Sequence, residues 1–172
     1  INSTGTVTFA AANTYTGTTT VNNGVLLLNG AAATLGSGAA GTNVEAGATL
    51  ALQGGVNVSN ESLRLNGIGA PGQLGALVNV SGINSIAATS PITARPDSLG
   101  EFRLASLAGS LTVDAAINLN SSKLSADGPA DITINGNISG TGATVGTPLA
   151  AGASNVFNDV PEANTFTLAL EH

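Results

Sequence analysis

Gly24-Val-Leu-Leu-Leu-Asn-Gly30 reads as a short strand that ends in a corner. The phrase returns as Gly47-Ala-Thr-Leu-Ala-Leu-Gln-Gly54, as Ser62-Leu-Arg-Leu-Asn-Gly67 and as Ala130-Asp-Ile-Thr-Ile-Asn-Gly136. Large apolar residues alternate with small or polar ones, the period of a strand with one buried face. Asn-Gly and similar pairs then supply the turn. A strand of this length cannot bury its apolar face alone. Copies stacked ~4.8 Å apart can, because each coil covers the next.

The same grammar extends along the chain. Further strands are predicted at Thr6–Phe9, Thr18–Val21, Val56–Val58, Leu77–Val80, Phe102–Leu104, Leu111–Val113 and Ile117–Leu119. Helix signals are nearly absent: Gly30, Gly36 and Gly38 fence in Ala31–Ala33, and Gly109 cuts Ala105–Leu111. Leu35–Thr42, Gly67–Leu77 and Ala87–Gly100 read as loops leaving the coil, the last with Pro91 and Pro96. Asn-Gly is also the strongest hairpin signal, so an antiparallel meander or sandwich is the rival fold. Short strands, the recurring phrase and only four Phe and one Tyr favour stacking. The expected class is all-β, a β-solenoid of roughly seven irregular coils at ~20–25 residues each. Residues 1–142 form the repeat region and 143–170 an irregular C-terminal coil or cap. Ala143–Pro161 reads as loop and Thr165–Leu170 as the strand that follows. Residues 171–172 resemble a tag remnant, and the missing initiator Met suggests an excised piece.

Composition narrows the function classes. Charged residues are 8% of the 172, against about 25% in an ordinary domain. Hydrophobic residues are 42% and mean hydropathy is +0.31, which opposes disorder. Net charge is −6, and the cations are Arg64, Arg95, Arg103 and Lys123 alone. That excludes the basic stripe of a nucleic-acid binder and the basic patch of an anionic-membrane binder. No apolar run reaches the ~18 residues of a membrane span. Without Cys there is no disulfide framework and no thiolate metal site, a usage that fits an exported bacterial chain.

Gly5-Thr-Val-Thr-Phe9, followed by Asn13-Thr-Tyr-Thr-Gly-Thr-Thr-Thr-Val-Asn-Asn-Gly-Val-Leu-Leu-Leu28, resembles the autotransporter-associated β-strand repeat. The likeness is densest over residues 5–30. Its continuation is similar through Gly67, and again over Gly75–Ile92 and Ser106–Gly142. After Gly142 the expected next repeat does not follow. The resemblance implies a right-handed parallel β-helix in a secreted or surface-displayed bacterial protein. It further implies a structural passenger segment, a rigid stalk or adhesin scaffold, without catalysis.

Candidate sites are sparse. Asp97 and Glu101 lie beside Arg95 and Arg103, and Asp127 and Asp131 follow Lys123. Paired carboxylates can do acid–base work at a glycosidic bond. The ordinary reading, ion pairs and Asx turns, carries more weight. Thr14, Thr16, Thr18 and Thr20 alternate along one direction and form a candidate surface array; strand propensity alone accounts for such a run. His172 is the sole His, so imidazole and thiol nucleophile systems are absent. No cofactor or metal is expected. The expected partner is a glycan, a host or abiotic surface, or a second copy meeting the end coils. The alternatives to a scaffold are a polysaccharide- or surface-binding module using the loops Leu35–Thr42, Ala70–Gly75 or Ala87–Gly100, and a carbohydrate-active enzyme.

Overall fold

The computed structural model describes residues 1–95 and 100–140, together with the backbone of strands at 144–148, 155–157 and 167–171. The chain is a right-handed parallel β-solenoid of about six turns. Three sheets form its walls. The eight-stranded wall runs β1 (Asn2–Phe9), β3 (Asn23–Asn29), β5 (Ala48–Gln53), β8 (Leu77–Ser81), β11 (Glu101–Ser106), β14 (Lys123–Asp127), β17 (Thr144–Pro148) and β19 (Thr167–Glu171). The six-stranded wall holds β2 (Thr19–Val21), β4 (Thr42–Val44), β7 (Leu63–Asn66), β10 (Ile92–Arg95), β13 (Ile117–Asn118) and β16 (Ile138–Ser139). The five-stranded wall holds β6 (Asn57–Val58), β9 (Ile83–Ile86), β12 (Ser110–Val113), β15 (Asp131–Ile134) and β18 (Asn155–Phe157). Neighbouring strands pair in parallel, which removes the hairpin alternative.

Register explains the core. On the first wall Val7, Leu26, Leu50, Leu77, Leu104 and Ala126 stand one above another. On the second, Leu63, Ile92, Ile117 and Ile138 do the same. On the third it is Val58, Ile86, Val113 and Ile134. These columns converge on one continuous apolar core. Each buried Leu or Ile contributes about 1.5–3 kcal/mol through burial.

One column changes character midway. Phe9, Leu28 and Leu52 are followed in register by Asn79 and then Ser106. Both polar residues are fully buried, and the Asn79 amide donates to Ser106 Oγ at 2.9 Å and to the Ala108 carbonyl at 3.0 Å. Asn84, also buried, donates to Asn79 Oδ1 and accepts the Gly55 and Val56 amides at 3.0 and 2.7 Å. Hydrophobicity alone would turn Ile83 inward. Instead Ile83 is 78% exposed, because Asn84 takes the inner place and closes this network.

Two sequence expectations are corrected. Ala87–Gly100 is not one loop: Ile92–Arg95 is a strand in the second wall, with Ile92 and Ala94 buried. Its two prolines flank the strand rather than occupy it, so no ladder donor is lost inside it. Ala143–Pro161 is not wholly loop, because Thr144–Pro148 pairs with β14 and Asn155–Phe157 with β15. The turns differ in length. Leu50 pairs with Leu77 across a turn carrying the 67–76 excursion, whereas Leu104 pairs with Ala126 across a shorter one.

Candidate functional site

The first two turns lack a strand in the third wall. Irregular arches over residues 10–18 and 31–41 take its place, the second still lodging Ala33 and Leu35 in the core. The arches are laced together: Asn13 N–H donates to Thr34 Oγ1 at 2.8 Å, the Asn13 amide to the Thr34 carbonyl at 2.8 Å, and Ser37 N–H to the Tyr15 carbonyl at 2.9 Å. Tyr15 packs edge-on against Phe9 with centroids 6.5 Å apart. Thr14, Thr16 and Thr18 therefore sit exposed on an arch, not on a strand. Only Thr20 belongs to a sheet, and it is half-buried. These four residues do not make a flat strand array.

The charged cluster read from sequence is divided. Arg95 projects from β10 toward Glu45, 3.5 Å away, in an exposed pair of the kind worth little to stability. Asp97 lies outside the described residues. Glu101 and Arg103 share the outer face of β11, where Arg103 Nη2 donates to Glu101 Oε1 at 2.8 Å. Register then brings β14 alongside, and Asp127 Oδ2 lies 3.8 Å from Arg103 Nη1. Asp131 starts β15 on another wall. Burial raises the proton affinity of Glu101. Hydrogen bonds from Arg103 and Ser125 and the charges of Arg103 and Lys123 outweigh that, and hold the carboxyl below its ordinary value. The arrangement is a mutually neutralised patch, with each carboxylate turned toward a cation.

The geometry points elsewhere, to a cleft of about 190 Å³ between the 31–41 arch and the corner joining β6 to β7. Leu28, Leu35 and Val58 give it an apolar wall, and Asn57, Ser59 and Asn60 a polar one. Glu61 lines it as well, yet is only 3% exposed. Thr42 Oγ1 donates to Glu61 Oε1 at 2.6 Å from the turn on one side. From the turn on the other side, Ser90 Oγ accepts the Glu61 N–H and Thr89 Oγ1 accepts the Asn60 N–H, both at 3.0 Å. Burial pushes the Glu61 carboxyl above its ordinary value, with the Thr42 hydrogen bond opposing.

The arch is a fixed wall of this cleft. Gly38 has φ +75°, and a Cβ there would stand 1.7 Å from the Asn60 carbonyl oxygen. Only glycine permits both that backbone and that approach. Asn60 itself is left-handed at φ 55°, a conformation Asn tolerates better than most residues. A second, more open cleft of about 320 Å³ lies on the first wall, between Thr4–Thr6 of β1 and Ala70, Pro71 and Gln73 of the 67–76 excursion.

Sequence reasoning passed over Glu61. A signal was present: it is the one carboxylate between Glu45 and Asp97, in a stretch otherwise made of Asn, Ser and apolar residues. Attention to charge pairs missed it because it has no charged neighbour in the chain other than Arg64, which faces solvent. Among the described residues, no group of three or more His, Asp or Glu converges as metal ligands would. Nor is any helix there long and apolar enough to cross a membrane. Comparison with protein-family models, with curated proteins and with solved structures gave no match, so the likeness to the autotransporter-associated repeat stands on the residues quoted above.

Proposed function

We propose that this chain is a structural segment of a secreted or surface-displayed bacterial passenger: a rigid stalk or adhesin scaffold that performs no catalysis. The observation that carries the reading is the unbroken apolar column Leu26–Leu50–Leu77–Leu104–Ala126, which couples the five successive turns from β3 to β14. A stack of this kind gains stability from each interface between turns, and it holds its length because neighbouring strands are fixed ~4.8 Å apart. The pairing of Glu101 and Asp127 with Arg103 supports an ion-pair role for these carboxylates over acid–base work. The test is single-molecule pulling between the two ends. Release in discrete steps, each a turn or a group of turns, is expected. Smooth extension without force peaks would overturn the scaffold reading.

A second reading is an adhesion module that binds polysaccharide or another surface through its loops. One observation favours it: the two clefts are lined by the 31–41 arch and the 67–76 excursion, the segments that leave the coil. Saturable binding on a glycan array, lost on deleting either segment, is its expected result. An array without signal would remove it.

A further inference from the structure

Glu61 stands where the fold asks for a small residue. Register aligns Leu63 with Ile92 and Ile92 with Ile117, so the position two residues earlier is Glu61, Ser90 and Ala115 in successive turns. Ser90 and Ala115 are both fully buried there. A hydroxymethyl or a methyl is thus enough for the coil. A carboxyl at the same place is paid for in desolvation, as its raised proton affinity shows. Its Oε1 nevertheless accepts from Thr42 in the turn below, the Glu61 N–H donates to Ser90 in the turn above, and the side chain lines the cleft.

The cleft has the chemistry of a sugar subsite. At about 190 Å³ it is far larger than one water, whose share of liquid volume is ~30 Å³. It is smaller than the ~300–1,000 Å³ of pockets for drug-sized ligands. One ring-sized guest fits between those limits. Leu35 and Val58 present narrow strips of aliphatic surface, while Asn57, Ser59 and Asn60 offer neutral donors and acceptors. Glu61 adds one strong acceptor for hydroxyl groups, since bonds to an ionised carboxylate are roughly twice as strong as neutral ones. A hard cation wants six or more oxygen ligands, and Glu61 is the only carboxyl lining the cleft.

We propose that this cleft binds one pyranose residue of a glycan, with a C–H face of the ring against Leu35 and Val58 and its hydroxyls bonded to Glu61 and the Asn and Ser groups. The site deepens the adhesion reading and is independent of the scaffold reading, whose pulling experiment stands whatever the sugar result.

Saturation-transfer NMR on the intact chain tests it, with the methyl glycosides of glucose, galactose, mannose and N-acetylglucosamine as probes. At least one is expected to bind saturably. Glu61→Gln keeps an oxygen for Thr42 but replaces the carboxylate with an amide, and it should weaken that binding about ten- to a hundredfold. Ser59→Trp, at an exposed position beside the cleft, should abolish it. Circular dichroism verifies folding; if Ser59→Trp fails to fold, Glu61→Gln decides alone. The proposal is overturned if no probe binds the folded protein, or if binding is unchanged in either folded variant. Binding that survives both but is lost on deleting the 67–76 excursion would overturn this site while keeping the adhesion reading.

Discussion

At the scale of single residues, buried polar side chains set the local register. Asn84 occupies the inner position that alternation with the buried Ile86 assigns it, and there it satisfies the Gly55 and Val56 amides in the adjacent turn. Asn84→Ala should destabilise the protein by about 1–3 kcal/mol for each buried group left unpaired. Ile83→Ser should change stability by less than about 0.5 kcal/mol, since Ile83 is mostly in water already. Urea midpoints for the two variants check this, and the reverse ranking would contradict the placement of β9. Glu61 makes a pH prediction. Its folded proton affinity is raised, so above the ordinary carboxylate value of 4.5 the unfolded chain releases this proton more readily than the folded one. Glu61 therefore costs stability that is fully felt above its raised folded value and vanishes below the ordinary one. Glu101 works in the opposite sense: its lowered folded value contributes stability that is lost as pH falls through that value. Glu61→Gln should thus raise the melting temperature more at neutral pH than in acid below 4.5. A difference that does not vary with pH would show that the carboxyl is not desolvated.

At the scale of elements, alternation was a sound guide wherever large apolar residues marked the inner face. Val25–Leu28, Leu63–Leu65, Leu111–Val113 and Ile132–Ile134 are all strands, with Leu26, Leu63, Leu111 and Ile132 buried. It failed where the inner face carried other residues or where punctuation misled. Ile92–Arg95 was hidden by its flanking prolines, and the two-residue strands β6, β13 and β16 give too few positions for a period to show. Thr14–Thr18 alternates in sequence yet forms an arch, because Asn13 donates to Thr34 and the Tyr15 carbonyl accepts the Ser37 N–H, contacts that replace a ladder. The cleft was only half legible: the Leu35–Thr42 excursion was visible, but Glu61 reaches it through contacts made across turns, which no local pattern encodes. The columns themselves predict a graded response. Leu50→Ala removes the middle of a fully buried column and should cost about 2–5 kcal/mol. Val7→Ala, in the outermost turn and only partly buried, should cost less. Equal losses in chemical denaturation would contradict the stacking order.

At the scale of the whole molecule, the parallel walls stack into a solenoid, and the two clefts lie where the chain departs from them. The described outer faces are dominated by neutral polar residues and paired charges, while both clefts form where an excursion lies against a wall. In the proposed reading, length and rigidity belong to the coils and recognition to the loops. The register of the second wall offers the most direct test. Thr20, Asn43, Arg64, Thr93, Asn118 and Ser139 stand in one row, turn by turn. Spin labels on Thr20→Cys with Asn118→Cys, and on Thr20→Cys with Ser139→Cys, can be compared by pulsed electron–electron double resonance. The parallel stack predicts narrow distributions between attachment points centred near ~19 and ~24 Å, one strand spacing apart. Distances that do not grow by one spacing with the added turn, or distributions too broad to rank, would contradict the rigid solenoid.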